Sequence, residues 1–396
     1  QRQRRRRKIM KCCSFAHLVF VTINLCVLHK ATSEVFTLGY LTGSQRKAGD
    51  LEYIRPGLTI SGAISLAISE VNSGILRDLG HSIEFIVAET YGEEVSSIRQ
   101  TAALWTKQVA GYIGPQETCV HEGRMAAAFN LPMISYFCTH RDTSNKKDFP
   151  TFARTRPPDT QISKSVLSLL MAYNWTRVTF LYLDSEDNEF GAVAETIVST
   201  LEAARVRVHM ILTWNTIYHH GYSKSPFDDL VELSFTDTRI YLILGHYYEH
   251  LGLLLSLEKR GLLDQGEYFV VGIDIEQYDT SDPGKYLKGL LQDEKDERAE
   301  KAFRSYMAII PSAPVAFNDF AIKVNKFMEL PPFNFPNPLN HIGGVKQIRA
   351  EAAYLYDAVH LYTKALIRVM RNGENPRNGT NIVDAIKGSN YLSAMG

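Results

Sequence analysis

Cysteine is scarce in this chain. Five occur in 396 residues, and Cys12, Cys13 and Cys26 fall within the first 30, which leaves Cys119 and Cys138. Acidic residues are missing from residues 1–33 altogether. After residue 34 no stretch is long and apolar enough to cross a bilayer as a helix. The signature motifs of enzymes are missing too. There is no G-x-G-x-x-G, no G-x-x-x-x-G-K-[ST], no G-x-S-x-G and no C-x-x-C. Dinucleotide binding, P-loop phosphate binding, the nucleophile elbow and thiol redox chemistry therefore lack their usual carriers. His121-Glu122 opens like a zinc-protease helix, but Met125 stands where the second histidine is needed.

What is present begins with a leader. Arg2, Arg4 to Arg7, Lys8 and Lys11 crowd the front, and SFAHLVFVTINLCVL (14–28) follows. That run has the length of a signal-peptide core and is too short and polar-interrupted to span a membrane. Ala31 and Ser33 bracket Thr32 at the small-residue spacing a signal peptidase reads. Residues 1–33 are expected to be a signal peptide cleaved near Ser33; Met10 is a candidate start that would leave a compact n-region. The alternative for the Arg run is a nuclear address or a nucleic-acid patch. Residues 1–30 hold 8 of the 43 basic side chains, so 35 remain against 43 acidic ones, a net of about −8. No basic stripe is left, which argues against nucleic acid. The acidity reads either as plain solubility or as attraction for a cationic ligand.

An exported chain with one isolated close cysteine pair is expected to join Cys119 to Cys138 as a disulfide; two reduced thiols are the alternative. The closed loop is short, and the chain-entropy model gives it roughly 3 kcal/mol. Two sequons, Asn174-Trp175-Thr176 and Asn378-Gly379-Thr380, fit the same secretory route as N-glycosylation sites.

Alternation dominates the rest. Short apolar runs at 35–41, 83–90, 110–115 and 132–137 alternate with helical patterns at 57–72, 96–108 and 118–130. A charged, proline-marked break covers 145–159. The rhythm then restarts, with strands expected at 177–184, 206–214, 239–247 and 267–275 and helices between them. Units of this size require parallel sheets with helices on both faces. Two such runs with a break between them make two similar α/β lobes. Residues 276–340 are less regular. From 345 to 371, Val345, Ile348, Ala352, Leu355, Val359, Tyr362, Leu366 and Val369 trace one stripe of a long amphipathic helix. The helical stretch at 381–388 is followed within eight residues by the end of the sequence, and a truncated domain is expected.

Open α/β sheets bind ligands outside the carboxyl ends of their strands. That rule selects Gly114, Pro115 and Thr118, then Ser135 and Tyr136, then Asp184 and Asp274 as cleft candidates. Each reads alternatively as a turn or cap residue. The acids at 184–189 read as a solvated loop favouring a helix N-terminus, or as part of the cleft. Thr118 precedes a helix whose free N–H groups suit a carboxylate or small anion. His246 and His250 stand four apart without a clear third metal ligand, and His219-His220 sits in a polar loop; no metal is expected.

Several segments together resemble one family. They are RPGLTISGAISLAISEVN, IGPQETC, LPMIS, YNWTRVTFLYLD, EYFVVGIDI, FNF at 333–335, and the long helix with NIVDAIKGSNY behind it. In this order they are similar to the extracellular ligand-binding region of receptor guanylate cyclases, the natriuretic-peptide-receptor group, in its invertebrate form. The resemblance implies a type I periplasmic-binding-protein fold: two Rossmann-like lobes hinged about a cleft. It implies lobe 1 at 34–156, lobe 2 at 157–340 and a return to lobe 1 at 341–396. It further implies a homodimer through lobe 1, a membrane span beyond the chain, a kinase-like region and a cyclase making cyclic GMP, none of it catalytic in this stretch. A chloride is implied at Thr118 and Cys119, with no other cofactor, and an extracellular ligand, a peptide or otherwise. Residues 139–396 lack the second disulfide of the vertebrate receptors. The rivals are a class C G-protein-coupled receptor ectodomain binding an amino acid, for which Ile134-Ser135-Tyr136 is a partial match, and a secreted solute-binding protein.

Overall fold

The computed structural model describes residues 33–394 except 52, 54, 117, 185–188, 217, 219–223, 265, 276–283, 289–296, 312–316, 345 and 388. The expected leader, Met10, His219-His220 and most of the acidic run after Asp184 therefore lie outside the described residues.

The first sheet holds β1 (Val35–Thr42), β2 (Ser82–Glu89), β3 (Gly111–Ile113), β4 (Met133–Ser135) and β5 (Phe152–Arg154), in the order β2-β1-β3-β4-β5. All its pairings are parallel. Its helices are α1 (Gly62–Ser73), α2 (Glu94–Thr106) and α3 (Val120–Ala128). The second sheet holds β6 (Arg177–Leu183), β7 (Arg207–Trp214), β8 (Ile240–Leu244), β9 (Phe269–Ile273) and β10 (Tyr306–Ile309), in the order β10-β9-β8-β6-β7. It too is parallel. Counted from its own first strand, each sheet runs 2-1-3-4-5. The two-lobed α/β reading thus holds, with the same topology used twice. The helices of lobe 2 are α4 (Asp159–Ala172), α5 (Glu189–Ala203), α6 (Pro226–Ser234), α7 (Tyr247–Lys259) and α8 (Glu297–Ala302).

Each sheet is covered on both faces, as parallel sheets require. The apolar runs supply the residues. Phe36, Leu38 and Tyr40 of β1 enter one core, while Leu41, Tyr112 and Met133 enter another. In lobe 2 Val178, Phe180 and Leu242 face one way, and Leu181, Tyr241 and Ile243 the other. Period-two alternation along strands buried on both sides produces these four cores.

The chain returns to lobe 1 earlier than residue 341. The helix α9 (Phe317–Met328) already belongs there, since its Val324 and Met328 are buried in the first lobe's core with Phe333. A Cβ on Gly62 would lie 2.3 Å from the Val324 carbonyl, so α1 and α9 cross at a point only glycine permits. The sequence carries a signal for this helix, since Phe317, Phe320, Ala321, Val324, Phe327 and Met328 stand three and four apart on one face, but the acidic and proline-rich segments around it made the whole stretch read as irregular. β5 and β10 escaped the sequence pattern as well, each being a short strand in a charged setting. The last long helix, α10 (Glu351–Arg371), buries its stripe against α1, and α11 (Gly379–Ile386) follows. Between the lobes, Asp159 N–H donates to the Thr139 carbonyl at 3.1 Å, and Arg141 reaches Glu195 of α5 at 3.2 Å.

Candidate functional site

In a 2-1-3-4-5 sheet the order reverses between the first and third strands, and the crevice opens at their carboxyl ends. Lobe 1 places Thr42, Gly43 and Ser44 there from β1, and Gly114, Pro115 and Gln116 from β3. Lobe 2 places Asp184 from β6 beside His246 from β8, by extension of the Tyr182–Leu244 register.

The lobe 1 rim is a closed polar network. Gln116 is fully buried, and its Oε1 accepts from Thr42 Oγ1 at 3.0 Å, Gly43 N at 3.2 Å and Tyr136 OH at 3.3 Å. Tyr136 OH also donates to the Leu41 carbonyl at 3.0 Å. Ser135 Oγ donates to the Pro115 carbonyl at 3.1 Å and accepts from the amides of Phe137 and Cys138. Both Ser135 and Tyr136 are fully buried, so these two cleft candidates hold the loops together from beneath. Gly114 has φ +117° and its missing Cβ would meet the Leu41 carbonyl at 2.7 Å; the bond to Pro115 is cis. Beneath the network Tyr40 bonds Ser61 at 2.9 Å, and burial pushes its hydroxyl up to about 12.

Cys119 and Cys138 are joined, with Cα atoms 5.9 Å apart. The bridge ties the N-cap of α3 to the loop after β4, both on this rim. Thr118 does not lie open before the helix. Its hydroxyl bonds Glu122, a fully buried first-turn carboxylate whose other oxygen has no hydrogen-bond partner among the described residues. The chain thus sets a carboxylate of its own beside the N–H groups that suit an anion.

The lobe 2 rim is aromatic and acidic. Asp274, at the end of β9, is buried and accepts from Tyr286 OH at 2.6 Å and Lys285 Nζ at 3.4 Å. The Lys285 ammonium also lies over the Tyr247 and Tyr286 rings. Glu249, buried, accepts from Trp214 Nε1 and from the His246 amide, both at 2.8 Å. His246 caps α7 and stacks on Tyr248, while His250 Nδ1 pairs with Tyr306 OH at 2.7 Å. The two histidines thus have separate duties. Burial, and then the Asp274 charge, hold the Tyr306 hydroxyl well above its usual range. Asp184 is exposed at the mouth.

Sequence reasoning missed Gln116, Glu249, Lys285, Tyr286 and Tyr306. Gln116 carried a signal, since it directly follows Gly-Pro at a strand end. Lys285, Tyr286 and Tyr306 carried none, lying in a stretch without periodicity. Of the sequons, Asn174 is exposed, whereas Asn378 Oδ1 caps α11 by accepting from Asn381 N at 3.2 Å.

Comparison with known proteins gives receptor guanylate cyclases along most of the chain, and taste receptor type 1 member 3 of Mus musculus at 27% identity over 38% of it. Residues 59–396 match the family described as the receptor family ligand binding region. The chain is 30% identical over 412 residues to the receptor-type guanylate cyclase Gyc76C of Drosophila melanogaster, covering 96% of this chain and 26% of that one. It is 27% identical to guanylate cyclase 32E of the same organism, covering 97% and 32%. It is 27% identical to the resact receptor of Arbacia punctulata, covering 85% and 36%. The chain spans between 26% and 36% of the length of these relatives.

Proposed function

This chain belongs to the receptor family ligand binding region, and on that premise we propose that it is the extracellular sensing domain of a single-pass membrane guanylate cyclase. The observation that carries the reading is the likeness to receptor cyclases along 96% of the chain. The fold supports it: two lobes of one topology each present a crevice at their strand ends. The polar side chains at those ends bond one another, which holds loops in place and moves no protons. The function of this stretch is binding, and GTP conversion to cyclic GMP belongs to a part beyond it. The disulfide and the two sequons suit an extracellular location. We propose an extracellular ligand, with peptides the first class to try, and a homodimer formed through lobe 1.

Ligand acts by shifting a population of domain arrangements. Moving the resting balance from 1:99 to 99:1 needs a differential affinity of about 5.5 kcal/mol between the two. The test is to read the coding sequence past Gly396. One apolar span of about 20 residues followed by a kinase-like region and a cyclase is expected. Seven spans behind a cysteine-rich segment, or a stop with no span, would overturn the reading.

A further inference from the structure

The turn that closes α4 carries an aromatic step with a sequon at its centre. Asn174 takes φ +54°, the left-handed conformation that ends many helices. Its N–H donates to the Met171 carbonyl at 3.1 Å, and Trp175 N–H reaches back to Leu170 at 2.8 Å. Tyr173 and Trp175 therefore flank it on one surface and stack at 4.8 Å with an interplanar angle of 20°. Trp175 leans in turn on Phe269 at 5.2 Å. Met171 is 59% exposed and Tyr173 51%, an apolar patch at the end of a surface helix. This apolar surface adjoins the sequon asparagine directly. The Asn174 side chain is exposed and makes no hydrogen bond with the described residues. The second sequon differs. Asn378 is engaged as a helix cap, Gly379 is pressed onto the Leu131 backbone at 2.6 Å, and Thr380 bonds Asn130.

We propose that Asn174 carries an N-linked glycan whose first sugar packs its apolar C–H face on the Tyr173–Trp175 step. The inference rests on the extracellular reading above. The donor class is a polyprenyl-diphosphate oligosaccharide. Its sugar C1–O bond to diphosphate breaks, a C1–Nδ2 bond to Asn174 forms, and Nδ2 gives up one proton as the diphosphate leaves. The glycan then serves two ends. Its apolar face shields the exposed rings while its hydroxyls meet solvent, and its first residue adds a contact to the corner where α4 turns into β6.

The test uses the full chain expressed with its own leader in a eukaryotic secretory host. Peptide mass spectrometry reads occupancy at both sequons. Thermal melts compare the intact glycoform, the form trimmed to one N-acetylglucosamine, and Thr176→Ala, which removes the sequon and keeps Asn174 in its turn. The expected result is a glycan on Asn174, equal melting of the first two forms, and a Tm lower by about 1–3 °C for Thr176→Ala. Adding Tyr173→Ala should erase the difference between glycosylated and bare forms. Secreted chain with Asn378 modified and Asn174 bare overturns this inference alone. Equal melting of all three forms overturns the packing. A chain that never enters the secretory route, bare at both sequons, overturns the extracellular reading together with it.

Discussion

Replacing Gln116 by methionine isolates the worth of the lobe 1 network. The volumes are close, so the cavity term is small. What disappears is the acceptor that Thr42 Oγ1, Gly43 N and Tyr136 OH share at 3.0, 3.2 and 3.3 Å. The three donors lose unequally. Tyr136 keeps its bond to the Leu41 carbonyl, and the Thr42 hydroxyl can rotate, but the Gly43 N–H is fixed in the backbone and left buried. The stranded Gly43 donor costs about 1–3 kcal/mol and the lost Thr42 bond about 1 kcal/mol more, while the single Tyr136 proton stays on the Leu41 carbonyl, so Gln116→Met should cost about 2–4 kcal/mol. For a lobe of this size that lowers Tm by about 5–10 °C. Thr42→Val breaks one of the same bonds from the donor side. It leaves Oε1 with two donors and strands nothing, so about 1 kcal/mol is expected. Calorimetry of both variants decides. Equal losses, or a larger loss for Thr42→Val, would refute the argument that the stranded donor governs the cost.

Three further outcomes follow from the same geometry. Replacing Cys119 and Cys138 by serine should destabilise lobe 1 by about 3 kcal/mol and leave the lobe 2 transition in place, as read by calorimetry with separate lobe transitions. Gly62→Ala should cost about 1–3 kcal/mol by forcing α1 off the Val324 carbonyl, measured by denaturant titration with an unchanged m-value. Stability should also fall as pH drops below about 6.5. Burial pushes the His360 imidazole below its usual value of 6.5, more than the nearby Glu70 and Asp357 carboxylates raise it. The unfolded chain then binds a proton that the fold resists, so stability is present above the unfolded pKa and declines below it. His360→Gln should flatten that part of the pH–Tm curve.

Much of the fold was legible because burial writes itself into periodicity. Runs such as Val178–Leu183 and Ile240–Leu244 are almost wholly apolar and bounded by polar turns, so their strands were readable within one to three residues. Tyr306–Ile309 was not, because a four-residue edge strand with partly exposed side chains has no pattern to show. The early return to lobe 1 was hidden for a different reason. α9 has a clear apolar face, from Phe317 to Met328, but the core it joins lies far back in the chain, with Gly62 meeting Val324 across 262 positions. At the site, strand ends could be found by rule, which is why Gly114, Asp184 and Asp274 lie where expected. The rule says which residues reach the rim, but not which of them are already bonded to one another. Ser135 and Tyr136 are spent on backbone carbonyls and Gln116, partners that only the folded loops bring near.

The central claim is that this domain senses a ligand for a guanylate cyclase. It is tested most directly by measuring cyclic GMP in membranes that carry the protein of the complete reading frame, with and without residues 34–394, before and after addition of a peptide fraction from the source tissue. The account predicts GTP turnover to cyclic GMP in both proteins, and a severalfold rise on addition only where residues 34–394 are present. Membranes that form no cyclic GMP, or a rise that survives deletion of the domain, would contradict it.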